Sequence, residues 1–564
     1  MDLKKTIAEL VATLFGKSPE EIRILLETPP KTVPGDWALP CFSFAKQFRK
    51  SPVLIAKDFA GKVPESEYLL KVEANGPYLN FFINPAIIAG HVLEQIAREK
   101  DNYGKHSPTG KRVVIEFPAP NTNKPLHLGH VRNMLLGQSL TEILRACGYE
   151  VFPVNLNNDR GIHICKSMLA YQKWGNEAAP DVKSDHYVGK WYVKFAQEEK
   201  NNEKLNDEIA IMLQKWEEGD TETRALWKKM NRWALAGFKE TYEKFEIEFA
   251  KEYFESDIYQ KGKDIVSQAL KDGIFKQHDD GAIYAELEQF KLPNKVLLRA
   301  DGTSIYMTQD IALAFQKKQD FDFNLSIFVV GNEQITHFQQ LFKILELLGL
   351  QAQQFHLAYG MIELPEGKMK SREGRVVEAD DIVTENISLA EKEIRKRYSD
   401  LSEQDIQHRA QVIGMAALRF FILKYEPTRN FVFNPDESIS FEGETGPYIL
   451  YAYARISSIF EKAQSKIPKK INFALLAHET EIALIQLLQK YPEIVKEAGD
   501  NYKPHLVARH LLDVAQAFTR FYDACPVKDA EIPLRAARLA LLRAVQVVLR
   551  NGLGLFHIYV LEKM

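Results

Sequence analysis

Apolar positions divide the chain into stretches of different character. Ile7, Leu10, Val11 and Leu14 recur at helical intervals, and a strand-like run, VEANGPYLNFFIN, follows at 72–84. Residues 102–110 (NYGKHSPTG) are dense in turn formers and predict a linker. KRVVIEF (111–117) is a short run rich in β-branched residues. PAPNTNKP (118–125) is barred from regular structure, because Pro118, Pro120 and Pro125 each lack a backbone donor. Helical spacing resumes from Leu126 to Cys147, with Gly148 as its predicted C-cap. YEVFPVNL (149–156) completes a strand–helix–strand unit of ordinary length, which predicts a parallel sheet with a ligand at the carboxyl ends of its strands.

Residues from about 160 to 295 are mostly charged and helical, and they read as an insertion into the sheet. NKVLLRA (294–300) and LSIFVVG (325–331) read as the sheet's return. Beyond about Asp381 the pattern is almost wholly helical, as in 401–425, 448–462 and the amphipathic stretches of 476–564. The expected class is α/β: a split Rossmann-like catalytic domain with a parallel sheet over 106–385, carrying the insertion at about 160–295. An N-terminal α/β domain (1–105) precedes it; a helical junction (386–445) and an all-helical bundle (446–564) follow.

Composition narrows the function classes. Of 564 residues, 45% are hydrophobic and 26% charged, which excludes a disordered or fibrous chain. With 73 basic against 76 acidic residues the net charge is −3, which excludes a histone-like polycation but not a basic face for nucleic acid. Cys41, Cys147, Cys165 and Cys525 form no C-x-x-C pair, so neither a zinc motif nor a disulfide framework is expected, in keeping with a reducing compartment. The charged, amphipathic start MDLKKTIAELVATLFGK does not resemble a secretory signal, and no 18-residue apolar run is present. The expected address is cytoplasmic, without membrane contact.

Two motifs carry chemistry. Pro125-Leu126-His127-Leu128-Gly129-His130 stands at a strand-to-helix turn, where unsatisfied N–H groups and the helix dipole favour an anion. Two histidines three apart share one face there and suit nucleotide phosphates. A zinc site or two surface histidines is the competing reading. Some 240 residues later comes Lys368-Met369-Lys370-Ser371-Arg372-Glu373-Gly374, a basic, glycine-containing stretch suited to a triphosphate, or else a solvated turn.

The two motifs, in that order, resemble the class I aminoacyl-tRNA synthetases. More narrowly, nearly the whole chain resembles the arginyl-tRNA synthetases. The resemblance rests on EFPAPNTNKPLHLGHVRN (116–133), NDRGIHICK (158–166), ADGTSIYMTQDIA (300–312), VVGNEQITHFQQL (329–341) and GKMKSREGRVV (367–377). It continues through GETGPYILYAYAR (443–455) and LRAARLALLRAVQVVLRNGLGLFHI (534–558), and at the front through GDWA (35–38) and GPYLNFFI (76–83).

The resemblance implies ATP-dependent formation of arginyl-adenylate and transfer to the terminal ribose of the arginine tRNA, by a monomer, with Mg²⁺ accompanying ATP and no metal held by protein ligands. The N-terminal domain, around Phe81 and Phe82, would touch the outer corner of the tRNA. The bundle would bind the anticodon, with Tyr448, Arg455 and Met564 as contacts; from the residues alone Tyr448, Tyr451 and Tyr453 near Arg455 read as stacking surfaces for unpaired bases, or, for Tyr448 and Tyr451 equally, as helix-core residues. Catalytic roles fall to Lys124, His127, His130, Lys368, Lys370, Ser371 and Arg372; ATP contacts to Pro120, Asn121, Leu128, Gly129, Gly360, Met361 and Met369. Arginine contacts fall to Glu116, Asn121, His163, Tyr306, Asp310 and Gln334, since a guanidinium calls for carboxylate partners.

One departure from the family pattern stands out. Ser371 occupies the place of the signature's second lysine, and Lys124, three residues before His127, is the implied substitute. A shifted register using Lys370 stays open. Two other readings remain at this stage: a non-catalytic tRNA-binding relative, and a nucleotidyltransferase using the H-x-G-H site on another substrate.

Overall fold

The computed structural model describes residues 3–30, 33–202, 204–363, 377–463 and 467–564. Its centre is a five-stranded sheet, parallel throughout, of Arg112–Glu116, Glu150–Asn157, Lys251–Phe254, Leu325–Gly331 and Gln353–Tyr359. In chain order the strands lie fifth, fourth, first, second, third. The order reverses between the first and fourth strands, and a doubly wound sheet opens its ligand crevice beyond the carboxyl ends at such a point. Alternation along the first strand sends Val113 and Ile115 to the main core and Val114 to the opposite layer.

Two expectations about the sheet are corrected. Its third strand, Lys251–Phe254, falls inside the stretch read as helical insertion. This four-residue edge strand, KEYF, exposes its two charged residues, so it leaves no apolar run in the sequence. NKVLLRA does form a strand, Lys295–Leu298, but in a separate antiparallel sheet with Lys276–Gln277 and Ile283–Ala285. The insertion proper is the helices Ile162–Trp174, Ser184–Glu199, Lys204–Glu218 and Thr221–Lys244, closed around their own core of Met168, Trp191, Phe195 and Met212.

At the front, 72–84 is not one strand. Gly76, at φ +57°, turns the chain between Leu69–Asn75 and Tyr78–Ile83, which pair as a hairpin. Phe81 is fully buried there, while Phe82 lies under the Lys71 ammonium at 4.3 Å. The stretch read as a linker is tied down as well. Tyr103 is buried and donates to Leu488 O at 2.9 Å, and His106 Nε2 meets Pro492 O at 2.9 Å.

These contacts belong to one apolar core that runs from the N-terminal helices through the helix Leu128–Ala146 into the C-terminal bundle. Cys147 Sγ donates to Val495 O at 3.4 Å, and a Cβ on Gly499 would come within 2.5 Å of that sulfur. The buried Arg419 guanidinium donates to Phe245 O at 2.8 Å and to His557 O. Among the described residues no helix is long and apolar enough to cross a membrane.

Candidate active site

The first strand ends at Glu116 and the chain crosses the crevice mouth through a cis Phe117–Pro118 bond and Ala119 at φ +54°. Pro120 O accepts from Asn158 N at 2.9 Å and Thr122 N donates to Asn158 O at 3.2 Å. Asn121, exposed between them, is thereby held at the ends of the first and second strands. The helix Leu128–Ala146 then starts, with His127 as its N-cap. His127 Nδ1 accepts from Gly129 N at 3.1 Å, and His130 Nδ1 accepts from His127 N at 3.1 Å. A Cβ at Gly129 would lie 3.0 Å from the His127 ring and press on it, so glycine suits the position.

With Nδ1 accepting on both rings, a neutral imidazole must carry its proton on Nε2. Both are neutral: burial, with the Lys124 ammonium alongside, lowers His127 to about 3. Burial, His127 and Lys124 together hold His130 well below the ordinary range. The rings lie 3.9 Å apart between centroids and can offer two N–H donors without adding charge. We expect ¹⁵N-resolved NMR of the free protein to show both as the Nε2–H tautomer from pH 8 down to pH 5; a midpoint near 6.5 at either ring would contradict this. Since the folded value lies below that of an unfolded histidine, neutral His127 favours folding above about pH 6.5 and loses that contribution as pH falls toward 3, and His130 acts in the same direction.

The motif helix also anchors the next crossing. Arg132, buried, donates to Gly360 O at 2.6 Å, Pro427 O at 2.7 Å and Arg429 O at 2.9 Å, and lies 4.7 Å over the Phe431 ring. Gly360 is packed too closely for a side chain, since a Cβ would meet Asn430 Oδ1 at 2.5 Å. Met361, half exposed, follows it. Lys368, Met369, Lys370, Ser371 and Arg372 lie outside the described residues. Immediately after them Val377 O accepts from Leu128 N at 3.0 Å, and Ala379 N donates to Leu126 O at 2.9 Å. This stitches the chain downstream of the second motif to the first. A cavity of about 500 Å³ opens beside Lys124 and His127, walled by His186, Gly189, Trp191 and Glu378.

Across the crevice, Tyr306 and Asp310 occupy the first turns of Tyr306–Phe321, Tyr306 exposed and Asp310 half-buried. Asp310 Oδ2 is 2.6 Å from Nε2 of His337, on the helix Ile335–Leu347 that Gln334 caps after the fourth strand. Glu116 ends the first strand, and its carboxylate is paired at 2.7 Å with Nζ of Lys317, a buried residue of the same helix as Asp310. His163 stands farther off in the first turn of Ile162–Trp174, its Nδ1 at 3.5 Å from Tyr192 OH.

Sequence reading missed two carboxylates here. Asp159 is buried and accepts from Ser256 N at 2.9 Å and Oγ at 2.7 Å. Burial pushes Glu255 up to about 7 against the nearby Arg160, and Asp310 adds to the rise. Glu255 opens a helix behind a charged edge strand and carries no motif, so nothing in the sequence marked it.

In the bundle, Tyr448, Tyr451 and Arg455 of Gly446–Ala463 line a cavity of about 660 Å³ with Arg397 and Phe441. Arg455 lies 4.0 Å over the Tyr522 ring. Tyr453 does not join them: it is buried with its hydroxyl toward Glu562 at 3.3 Å. Met564 O accepts from Tyr398 OH outside this cavity. Arg538 forms an intra-bundle ion pair with buried Glu481 at 2.7 Å.

The cluster Asp185, His186 and Asp380 has metal-ligand geometry. It does not fit a cation, because the ammonium groups of Lys183 and Lys244 already lie 2.7 and 2.5 Å from Asp380.

Comparison with known proteins agrees along the chain. The family described as tRNA synthetases class I (R), catalytic domain, matches residues 92–435. The DALR anticodon binding domain matches 449–564, and the arginyl tRNA synthetase N-terminal domain matches 1–83. A protein of Treponema denticola named arginine–tRNA ligase is 45% identical, with all of both chains covered. One of Treponema pallidum with the same name is 42% identical, over 100% of this chain and 99% of that one. Among solved structures, Thermus thermophilus arginyl-tRNA synthetase superposes with a TM-score of 0.82 at 27% identity, all of both chains covered. The Plasmodium falciparum enzyme superposes at 0.78 and 20% identity, over 99% of each chain, a likeness of fold.

Proposed function

From the premise that this chain belongs to the arginyl-tRNA synthetase family and ligates arginine to tRNA at the expense of ATP, we propose how its residues divide that work. The observation that carries the proposal is the pair of neutral histidines at a helix N-terminus beside Lys124, on the carboxyl edge of the sheet. His127 and His130 donate Nε2–H to the phosphates of ATP, and Gly129 lets them approach the backbone. The arginine carboxylate attacks the α-phosphate, the bond to the β-phosphate breaks, and pyrophosphate leaves with its charge met by Lys124 and by Lys368, Lys370 and Arg372. Ser371 cannot supply charge there. The tRNA ribose hydroxyl then attacks the adenylate carbonyl and AMP leaves.

No covalent intermediate with the protein is needed, so positioning and charge neutralisation carry the rate. Asp310, steadied by His337, faces the guanidinium, with Tyr306, Gln334 and Asn121 around it. Glu116 is within reach of this pocket only if its ion pair with Lys317 is shared. Mg²⁺, when bound with the nucleotide, supplies positive charge at the phosphates; the acidic cluster described above is already neutralised by lysines, and no step is assigned to a metal there. Tyr448 and Arg455 offer a stacking surface and a cation to unpaired anticodon bases, and Met564 lies at the bundle's end. The chain acts as a monomer in the cytoplasm.

A charging assay with each of the twenty amino acids and total tRNA tests the whole reading. Arginine alone should be esterified. Charging with another amino acid would overturn the pocket assignment. Pyrophosphate exchange should need tRNA, and full exchange without it would contradict that requirement.

A further inference from the structure

The helix Ser184–Glu199 belongs to the insertion, yet one stripe of it touches the first nucleotide motif and the residues that follow the second. Its N-cap residue Lys183, then His186 and Gly189, recur every three residues and so share a face. At Gly189 the helix meets the first motif with no gap: a Cβ would lie 2.6 Å from Pro125 Cδ and 3.5 Å from Lys124 Cα. One turn earlier, His186 Nδ1 lies 2.7 Å from Glu378 Oε2, and Nε2 lies 3.3 Å from Asp380 Oδ2. Lys183 Nζ reaches Asp380 at 2.7 Å and Thr241 Oγ1 at 2.6 Å, while Lys244 reaches Asp380 at 2.5 Å.

Glu378 and Asp380 directly follow the basic motif, and their backbone is the segment bonded to Leu126 and Leu128. Charge supports the geometry. The hydrogen bonds to Asp380 and Glu378 raise His186 to about 10, so it is an imidazolium at neutral pH. Burial would raise Asp380, but His186, Lys183 and Lys244 hold it well below the usual carboxylate range. The same helix is closed as tightly against Thr221–Lys244, since a Cβ on Gly237 would lie 2.2 Å from Asp185 Oδ1.

We propose that this helix is a strut fixing the first motif against the segment that leads out of the second, with His186 and Gly189 as positioning residues for arginine activation. This rests on the reading that Lys124 and the basic motif act on the ATP phosphates. The contacts of Lys183, His186 and Gly189 described above are with none of the residues assigned to arginine; the helix reaches one of these, His163, through Tyr192 farther along. Its perturbation should therefore change turnover while leaving arginine affinity alone, unlike a general loss of stability.

The test uses full-length Gly189→Ala and His186→Gln in ATP–pyrophosphate exchange with tRNA present, beside Lys124→Ala and thermal unfolding. An ångström-scale displacement of reacting groups costs up to about a hundredfold. The expected result is a fall in kcat of about tenfold to a hundredfold for Gly189→Ala. His186→Gln, which keeps a hydrogen-bond donor and drops the charge, should lose about tenfold. In both, the KM for arginine should match the wild type, with the assays run well below each variant's unfolding temperature. If Gly189→Ala does not fold, His186→Gln decides. Wild-type kcat in the variants while Lys124→Ala is impaired would overturn the strut. So would a parallel loss of kcat, arginine affinity and unfolding temperature, which marks a purely structural contact. Lys124→Ala behaving as wild type would instead remove the phosphate reading on which the strut rests, and the proposal with it.

Discussion

Replacing Lys124 by alanine should slow arginine activation by about a hundredfold or more, with the KM for arginine little changed. Removing one preorganised electrostatic partner of a transition state costs that much, because the charge it meets is greatest when pyrophosphate departs. The residue is well placed for this. It lines the cavity beside His127, and its charge is felt by both motif histidines. Arginine at 124 should restore only part of the rate, since a planar fork does not replace a compact ammonium on a flexible stem. Steady-state pyrophosphate exchange in the presence of tRNA reads both variants. An alanine variant with near-normal kcat would assign the role to Lys370.

Asp310→Asn should raise the KM for arginine about thirtyfold or more while moving that for ATP less than threefold. Losing one partner of a desolvated charged pair costs about 2 kcal/mol or more, and this change is nearly isosteric, so the fold should survive. His337 sharpens the case: its Nε2 lies 2.6 Å from one carboxylate oxygen and steadies the side chain. Equal effects on both substrates would show that Asp310 supports the site generally rather than selecting the guanidinium.

How far these assignments were legible in the sequence depended on whether a residue's role is local. The H-x-G-H turn was readable because its chemistry is set by neighbours in the chain: the strand before it, the prolines, and the helix N-terminus it caps. The crevice followed from the same unit, since a strand–helix–strand crossover has one handedness and one open end. The third sheet strand was not readable, because a short edge strand with two exposed charges leaves no periodicity. Nor were Glu255 and Asp159. Their burial comes from contacts with a distant helix, and a lone carboxylate in a charged stretch looks like solvated surface. The aromatic run of 448–453 was half readable. Spacing marks it as helical, but only packing separates Tyr448 and Tyr451, which line a cavity, from Tyr453, which is buried.

The interior shared by the front unit, the motif helix and the bundle has a bearing on inheritance. Three regions that match three separate families are not separately exchangeable parts here. A hybrid taking its last 120 or so residues from a distant cousin would bring a foreign surface to Tyr103, His106 and Cys147, whose partners are backbone carbonyls at Leu488, Pro492 and Val495. Backbone acceptors tolerate drift in side-chain identity but not a shift in helix register. The recombinants that survive should therefore be those preserving the length between Glu479 and Asp500, whatever letters fill it.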